Sequence, residues 1–207
     1  MAKIWYTTMT NDLNWIFNDE TSETSDTITS RMKRAELKRT RVNALKKEHA
    51  SEFLSELPKA DESYHIVSNG SFDYFTFVPI IINLLGGYTV HFYGSTWTMN
   101  RGNVIDLLGM FDKGRIGSLS ILTGVYFKRR ESAVYATLFN GLSERKQRYK
   151  SLANHAKVML FNHKDNYIVI EGSANFTANP RIEQTTVINS KELWLFHRGW
   201  MDEIFNG

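Results

Sequence analysis

The chain has 207 residues, 42% hydrophobic and 23% charged, which suits one packed domain with an extension and argues against wholesale disorder. It contains no cysteine, so disulfide staples, thiolate metal sites and a cysteine nucleophile are excluded, and a reducing, cytoplasmic setting is expected. The net charge is only +3, but it is segregated: residues 11–30 carry five acids and no base, and residues 31–47 carry eight bases against one acid. Segregation of this kind points to a polyanionic partner.

Residues 1–8 lack the apolar core of a signal peptide. The longest apolar run, residues 75–85, is interrupted by Thr76, Pro79 and Asn83 and is too short to span a bilayer, so a soluble protein with no membrane partner is expected. Residues 18–30 are acidic and hydroxyl-rich and read as a solvated loop. Thr29 or Ser30 can then cap a helix over residues 31–57 that ends at Pro58. Leu37, Ala44, Leu45, Phe53 and Leu54 give this helix one apolar face, and Lys33, Arg34, Lys38, Arg39 and Arg41 fall on the remainder. These five bases are the candidate contacts to a phosphate backbone, although a basic helix is often no more than a solvated face.

Further along, residues 64–68 predict a strand and residues 72–85 a buried helix ended by Gly86 and Gly87. A strand over 88–93, a helix over 103–111, a strand over 116–123 and a helix over 128–152 follow. Strands are expected at 157–161, 167–170 and 185–188, then an amphipathic helix over 191–205 with Trp194, Leu195, Trp200 and Ile204. Strands alternating with helices predict an α/β fold with a central sheet covered on both faces.

The chemistry-bearing residues cluster late in the chain. His155 and Lys157 are two apart, so on a strand they would share a face. A polar turn over residues 162–166 can reverse the chain and return Gly172 and Ser173 to the side of His155. Gly172 permits close backbone approach, and Ser173 and Asn175 can donate hydrogen bonds to an anionic oxygen. Glu183 supplies a carboxylate able to orient an imidazole. A lone His or a lone Gly-Ser is usually structural. Together these residues offer a nucleophile or base, a fixed cation, neutral donors and an orienting carboxylate, which are the components of phosphoryl transfer.

Residues 155–183 resemble the phospholipase D superfamily, whose signature is His-x-Lys, four residues, Asp, then Gly-Ser-x-Asn. The likeness is closest to the small bacterial nucleases of that superfamily, which carry one motif per chain and follow it with Phe-Thr and a Glu. It is strong over residues 152–190, looser from Tyr64 to the C-terminal helix, and absent over residues 1–60. It implies a phospholipase D-like mixed β-sheet flanked by helices over residues 61–207; residues 1–60, by their composition, are expected to form an N-terminal extension with an acidic loop and a basic helix. This sequence departs from the signature at Asn162, where the family has Asp, and Glu183 stands closer to Asn175 than in those nucleases. Asp165, three residues beyond Asn162, is assigned to the turn.

Carried over residue by residue, the resemblance implies that His155 attacks phosphorus while Lys157 and Asn175 hold the non-bridging oxygens. Ser173 adds a hydrogen bond, and Glu183 accepts from the imidazole. A second histidine must protonate the leaving oxygen. His49, His65, His91, His163 and His197 all lack a Lys two residues later, so the second motif must come from another copy in a homodimer. No metal or other cofactor is implied. Nucleic acid is the expected substrate, with residues 128–130 and Arg145, Lys146, Arg148 and Lys150 as further candidate contacts. Ser71, Phe72, Ser95 and Thr96 are expected on loops near the site. The alternatives are a phospholipase or phosphatidyl transferase, and a nucleic-acid-binding protein whose site is weak or inactive.

Overall fold

In the computed structural model, which describes residues 50–69, 72–177 and 181–207, the strand-forming runs assemble into one mixed sheet. Its order is β1-β7-β6-β5-β2-β3-β4. The strands are β1 (Ser63–Ser68), β2 (Thr89–Thr96), β3 (Ile116–Gly124), β4 (Arg148–Leu152), β5 (Val158–His163), β6 (Asn166–Gly172) and β7 (Glu183–Asn189). β2, β3 and β4 run parallel, whereas β5, β6, β7 and β1 continue the sheet antiparallel from the other edge of β2. The helices are α1 (Phe77–Leu84), α2 (Arg101–Asp112), α3 (Val125–Arg130), α4 (Ser132–Glu144) and α5 (Lys191–Asn206). The acidic stretch 18–30, the basic residues Lys33, Arg34, Lys38, Arg39 and Arg41, and Ser71 lie outside the described residues.

The period of two along the central strands decides which core each side chain joins. Met159, Phe161, Ile168 and Ile170 pack with Phe92 and Ile121 in the larger core, beneath α1 and α2. Their neighbours Val158, Leu160 and Val169 face the opposite way, onto Trp194 and Met201 of α5. Both faces of the sheet are therefore covered, and each fully buried aliphatic side chain contributes roughly 1.5–3 kcal/mol. The residues preceding β1 belong to the larger core as well, through Ala50, Phe53, Leu54 and Leu57.

Three elements differ from their sequence expectation. The region 72–85 opens with a single 3₁₀ turn, Tyr74–Thr76, capped by the Asp73 side chain, and turns α-helical only at Phe77. The long helix expected over 128–152 is instead α3, α4 and the edge strand β4. Lys146, at φ 54°, ends the helical path, and β4 is only half covered, so its residues RYKSL never show a clear alternation. Finally, residues 153–157 form a loop, so His155 and Lys157 precede β5 rather than sharing a strand face.

The basic residues around β4 are committed to this framework. Arg145 makes a two-armed ion pair with Asp112, at 2.7 and 2.6 Å. Arg148 donates to Asp202 at 2.7 Å and to the Tyr93 hydroxyl at 2.8 Å, and Lys150 donates to the Ile204 carbonyl at 2.7 Å. These three hold α2, α4, β4 and α5 together, whereas Lys128, Arg129 and Arg130 stand exposed at the end of α3.

His197 ties α5 to β6. Trp200 Nε1–H donates to His197 Nδ1 at 3.1 Å, which leaves the proton of the neutral ring on Nε2, 3.0 Å from Glu171. Burial lowers the His197 pKa below its usual value, with Glu171 opposing the shift. A folded-state pKa below the unfolded one means that the unfolded chain takes up the proton first. Stability is therefore expected to fall as pH drops through about 6.5 and to level off below the folded value. Thermal denaturation across that range checks this, because His197→Gln should flatten the profile relative to the parent. Identical slopes in the two proteins would refute it.

Candidate active site

The topology gathers the ends of several strands at one edge of the sheet. β2 and β5 are antiparallel with Ser95 opposite Val158, β6 ends at Gly172, and β7 begins at Glu183 opposite Ser68 of β1. The loop 153–157 and the loop after Gly172 therefore emerge side by side, and Gly172 N–H donates to the Lys157 carbonyl at 3.2 Å. The hairpin expected from the sequence does bring these two segments together. Its turn lies between His163 and Asn166, with Lys164 at φ 52°.

Gly172 is there because nothing larger fits. A Cβ would lie 2.7 Å from the Tyr74 ring and 2.9 Å from the Gln184 carbonyl oxygen. The buried Tyr74 hydroxyl in turn donates to the carbonyls of Ile170 at 2.9 Å and Lys157 at 3.3 Å, fastening the start of β5 to the end of β6.

The His155 loop is held from beneath by β2. The Ser95 hydroxyl donates to the Ala156 carbonyl at 3.1 Å, and Asn154 accepts from Ala156 N–H at 3.0 Å while donating to the Thr96 carbonyl at 3.3 Å. Ser95 and Thr96 are thus buried strand ends that support the site, not residues of a rim loop. Thr96 also accepts from Phe176 N–H at 3.1 Å, and Trp97 N–H donates to Asn175 Oδ1 at 3.2 Å. With its oxygen taken by that amide, Asn175 keeps its NH2 group as the end available to an anion.

Lys157 is buried and His155 exposed, and they touch. Lys157 Nζ donates to His155 Nδ1 at 3.0 Å and to the His155 carbonyl at 2.7 Å. Burial lowers the Lys157 pKa, and the negative charge of Glu183 pulls it back up. Glu183 accepts from the Ser173 hydroxyl, which itself accepts from Gln184 N–H at 3.1 Å. In this state the hydroxyl of Ser173 orients Glu183. An imidazole with a free ring nitrogen, a cation against it, an anchored amide and a carboxylate nearby can together attack, hold and orient a tetrahedral anion.

Asn162 lies elsewhere. It sits toward the far end of β5 from Lys157, where its side chain accepts from His91 N–H at 3.1 Å and its carbonyl accepts from Thr89 at 3.1 Å. Sequence reasoning did not single out Tyr74, Trp97 or Asn154. Tyr74 and Trp97 reach the site from distant stretches, and Asn154, although next to His155, belongs to no recognisable motif.

No protein-family model and no curated protein matches this sequence. Solved structures do. The phospholipase D family member Nuc from Salmonella typhimurium is 17% identical, with the match covering 70% of this chain and 95% of that one at a TM-score of 0.51. Polyphosphate kinase from Porphyromonas gingivalis is 13% identical, with 70% of this chain and 26% of that one covered at a TM-score of 0.51. One fold therefore accompanies differently named chemistries, and the reaction has to be argued from the site. The mixed seven-stranded sheet with helices on both faces, among the described residues, has a phospholipase D-like fold, the fold of Nuc.

Proposed function

We propose that this chain is a metal-independent nuclease that cleaves phosphodiesters through a phosphohistidine on His155, in an active site completed by a second copy of the chain. The observation that supports this reading is the meeting of an exposed imidazole, a buried lysine and an anchored Asn175 at one sheet edge. In the free chain Lys157 occupies Nδ1, so the proton of a neutral imidazole resides on Nε2. A phosphodiester draws the ammonium and the Asn175 NH2 onto its non-bridging oxygens. The ring proton then transfers to Nδ1 through solvent, Glu183 accepts it in a hydrogen bond, and Nε2 presents its lone pair.

The Nε2–P bond forms as the P–O bond to the leaving group breaks, and the departing oxygen takes a proton from His155 of the second copy, which enters the step as an imidazolium. Water next attacks phosphorus and gives its proton to that same imidazole. The P–N bond breaks, and both rings return to their starting states. A twofold apposition is supported by Val67 and Ile182, exposed at 66% and 79%, which flank Ser68 and Glu183 at the site's edge. Lys128, Arg129 and Arg130 offer contacts to a polyanion, and the basic segment 31–47 adds to them. Among the described residues no helix is long and apolar enough to cross a membrane.

Asn162 does not count against activity, because its side chain is engaged with β2 away from the motif. The decisive experiment incubates labelled single-stranded DNA, RNA and plasmid with the protein in excess EDTA, then denatures rapidly at alkaline pH, where phosphohistidine survives. Strand cleavage with label retained on the protein is expected. Cleavage only after metal is added, or headgroup release from phospholipid vesicles with nucleic acid untouched, would sink this reading.

A further inference from the structure

A cavity of about 250 Å³ opens beside Trp97, and the catalytic scheme above makes no use of it. One wall is Trp97, whose ring centroid lies 6.2 Å from that of His155 and whose backbone N–H anchors Asn175. Its floor includes the buried Met99 and Phe127, and its polar lining includes Arg101, Arg130 and Glu131. The volume falls short of the roughly 300 Å³ at which pockets for drug-sized ligands begin, and suits a single flat ring system.

Trp97 is built into this wall. At Gly124 a Cβ would lie 2.4 Å from Trp97 Cδ1, so the indole occupies space that only glycine leaves open. Gly124 N–H also donates to the Trp97 carbonyl at 3.2 Å, and the Arg130 guanidinium sits 5.1 Å from the indole centroid. An indole that already carries a guanidinium over its ring, in ring contact with the imidazole of His155, has the chemistry of a stacking site for a nucleobase. A quaternary ammonium headgroup would meet two guanidinium groups against a single carboxylate, so the lining disfavours a choline-type lipid.

We infer that this cavity holds one unpaired nucleobase stacked on Trp97 and flanking the phosphate at His155, which makes the preferred substrate single-stranded nucleic acid. The inference rests on the nuclease reading and adds the strandedness. Within a duplex both faces of a base are covered by its neighbours, so insertion requires unstacking, which an unpaired strand gives up readily.

The test measures binding of the full chain to a fluorescein-labelled twelve-nucleotide oligothymidine and to an abasic oligomer of equal length and charge. Contacts to the backbone are common to both probes and cancel in the ratio. The parent protein is expected to bind oligothymidine about ten- to a hundredfold tighter than the abasic probe. Trp97→Ala should bring that ratio close to one, and Trp97→Phe should retain most of it. Equal affinity of the parent for the two probes, or a preference that persists in Trp97→Ala, would overturn the inference. Should Trp97→Ala fail to fold, a Trp97→Phe and Trp97→Leu pair reads the same contrast, because Leu fills space without a ring. Cleavage in EDTA is scored separately. A base preference without cleavage keeps the pocket and removes the nuclease, and cleavage without a base preference does the reverse.

Discussion

His155→Ala is expected to lower EDTA-resistant cleavage by at least about a thousandfold, because in the proposed mechanism it removes both the group that forms the covalent bond and the group that protonates the leaving oxygen. The same substitution should leave the fold nearly untouched. His155 is exposed, lies in a loop, and has a side chain engaged by Lys157 and edged by Trp97. The shorter hydrogen bond of Lys157, at 2.7 Å, goes to the backbone carbonyl of residue 155 and survives the change. Thermal stability should therefore stay within about 0.5 kcal/mol of the parent, as for exposed substitutions generally. Mixing provides a second readout. If two imidazoles from two copies share one site, excess His155→Ala protein should suppress the activity of the parent, because every mixed pair has lost one of them. Cleavage within tenfold of the parent in the pure variant, or strictly additive activity in the mixtures, would remove His155 from the mechanism.

Much of this site was legible because its parts are close in sequence. His155, Lys157, Gly172, Ser173 and Asn175 lie on two segments joined by one hairpin, and the polar residues at its turn advertise the reversal. The central strands were legible for a related reason. β5 and β6 are apolar on both faces, and their runs stand out against polar flanks. Long-range partners carried no such signal. Ser95 supports the His155 loop from 61 residues away, and Tyr74 reaches the Lys157 carbonyl across 83 residues. Trp97 read as one aromatic among many until the parallel pairing of β2 and β3 set it over Gly124. The edge strand β4 was mistaken for helix because an edge position asks for no alternation, and its charges bond to Asp202 and the Ile204 carbonyl. Basic residues announce charge in a sequence but not its use, and Arg145, paired with Asp112, shows the difference.

Gly172→Ala is expected to damage both stability and activity, for one geometric reason. The added methyl would sit 2.7 Å from Tyr74 Cε2 and 2.9 Å from the Gln184 carbonyl oxygen, and neither neighbour can yield freely. Tyr74 is fully enclosed and its hydroxyl is committed to the Ile170 and Lys157 carbonyls. The Gln184 carbonyl accepts from Ser173 N–H at 3.1 Å, in the pairing that also aligns Ser173 with Glu183. Overpacking of this kind costs about 1–3 kcal/mol, read as a lower Tm or denaturation midpoint. The chemical consequence should exceed the thermodynamic one. Any shift that relieves the clash moves Gly172 away from the Lys157 carbonyl, or Ser173 away from Gln184, and so separates the two halves of the motif. Because displacement by an ångström can cost about a hundredfold in rate, kcat should fall by one to two orders of magnitude in protein that remains folded at the assay temperature. Pairing the change with Tyr74→Leu distinguishes the two contributions. Removing the ring relieves its share of the clash and should recover part of the stability, but it also removes the hydroxyl that fastens β5 to β6, so activity should stay low. Full recovery of kcat in the double variant would show that Tyr74 acts on the site only through its bulk, and would refute the role assigned here to its hydrogen bonds.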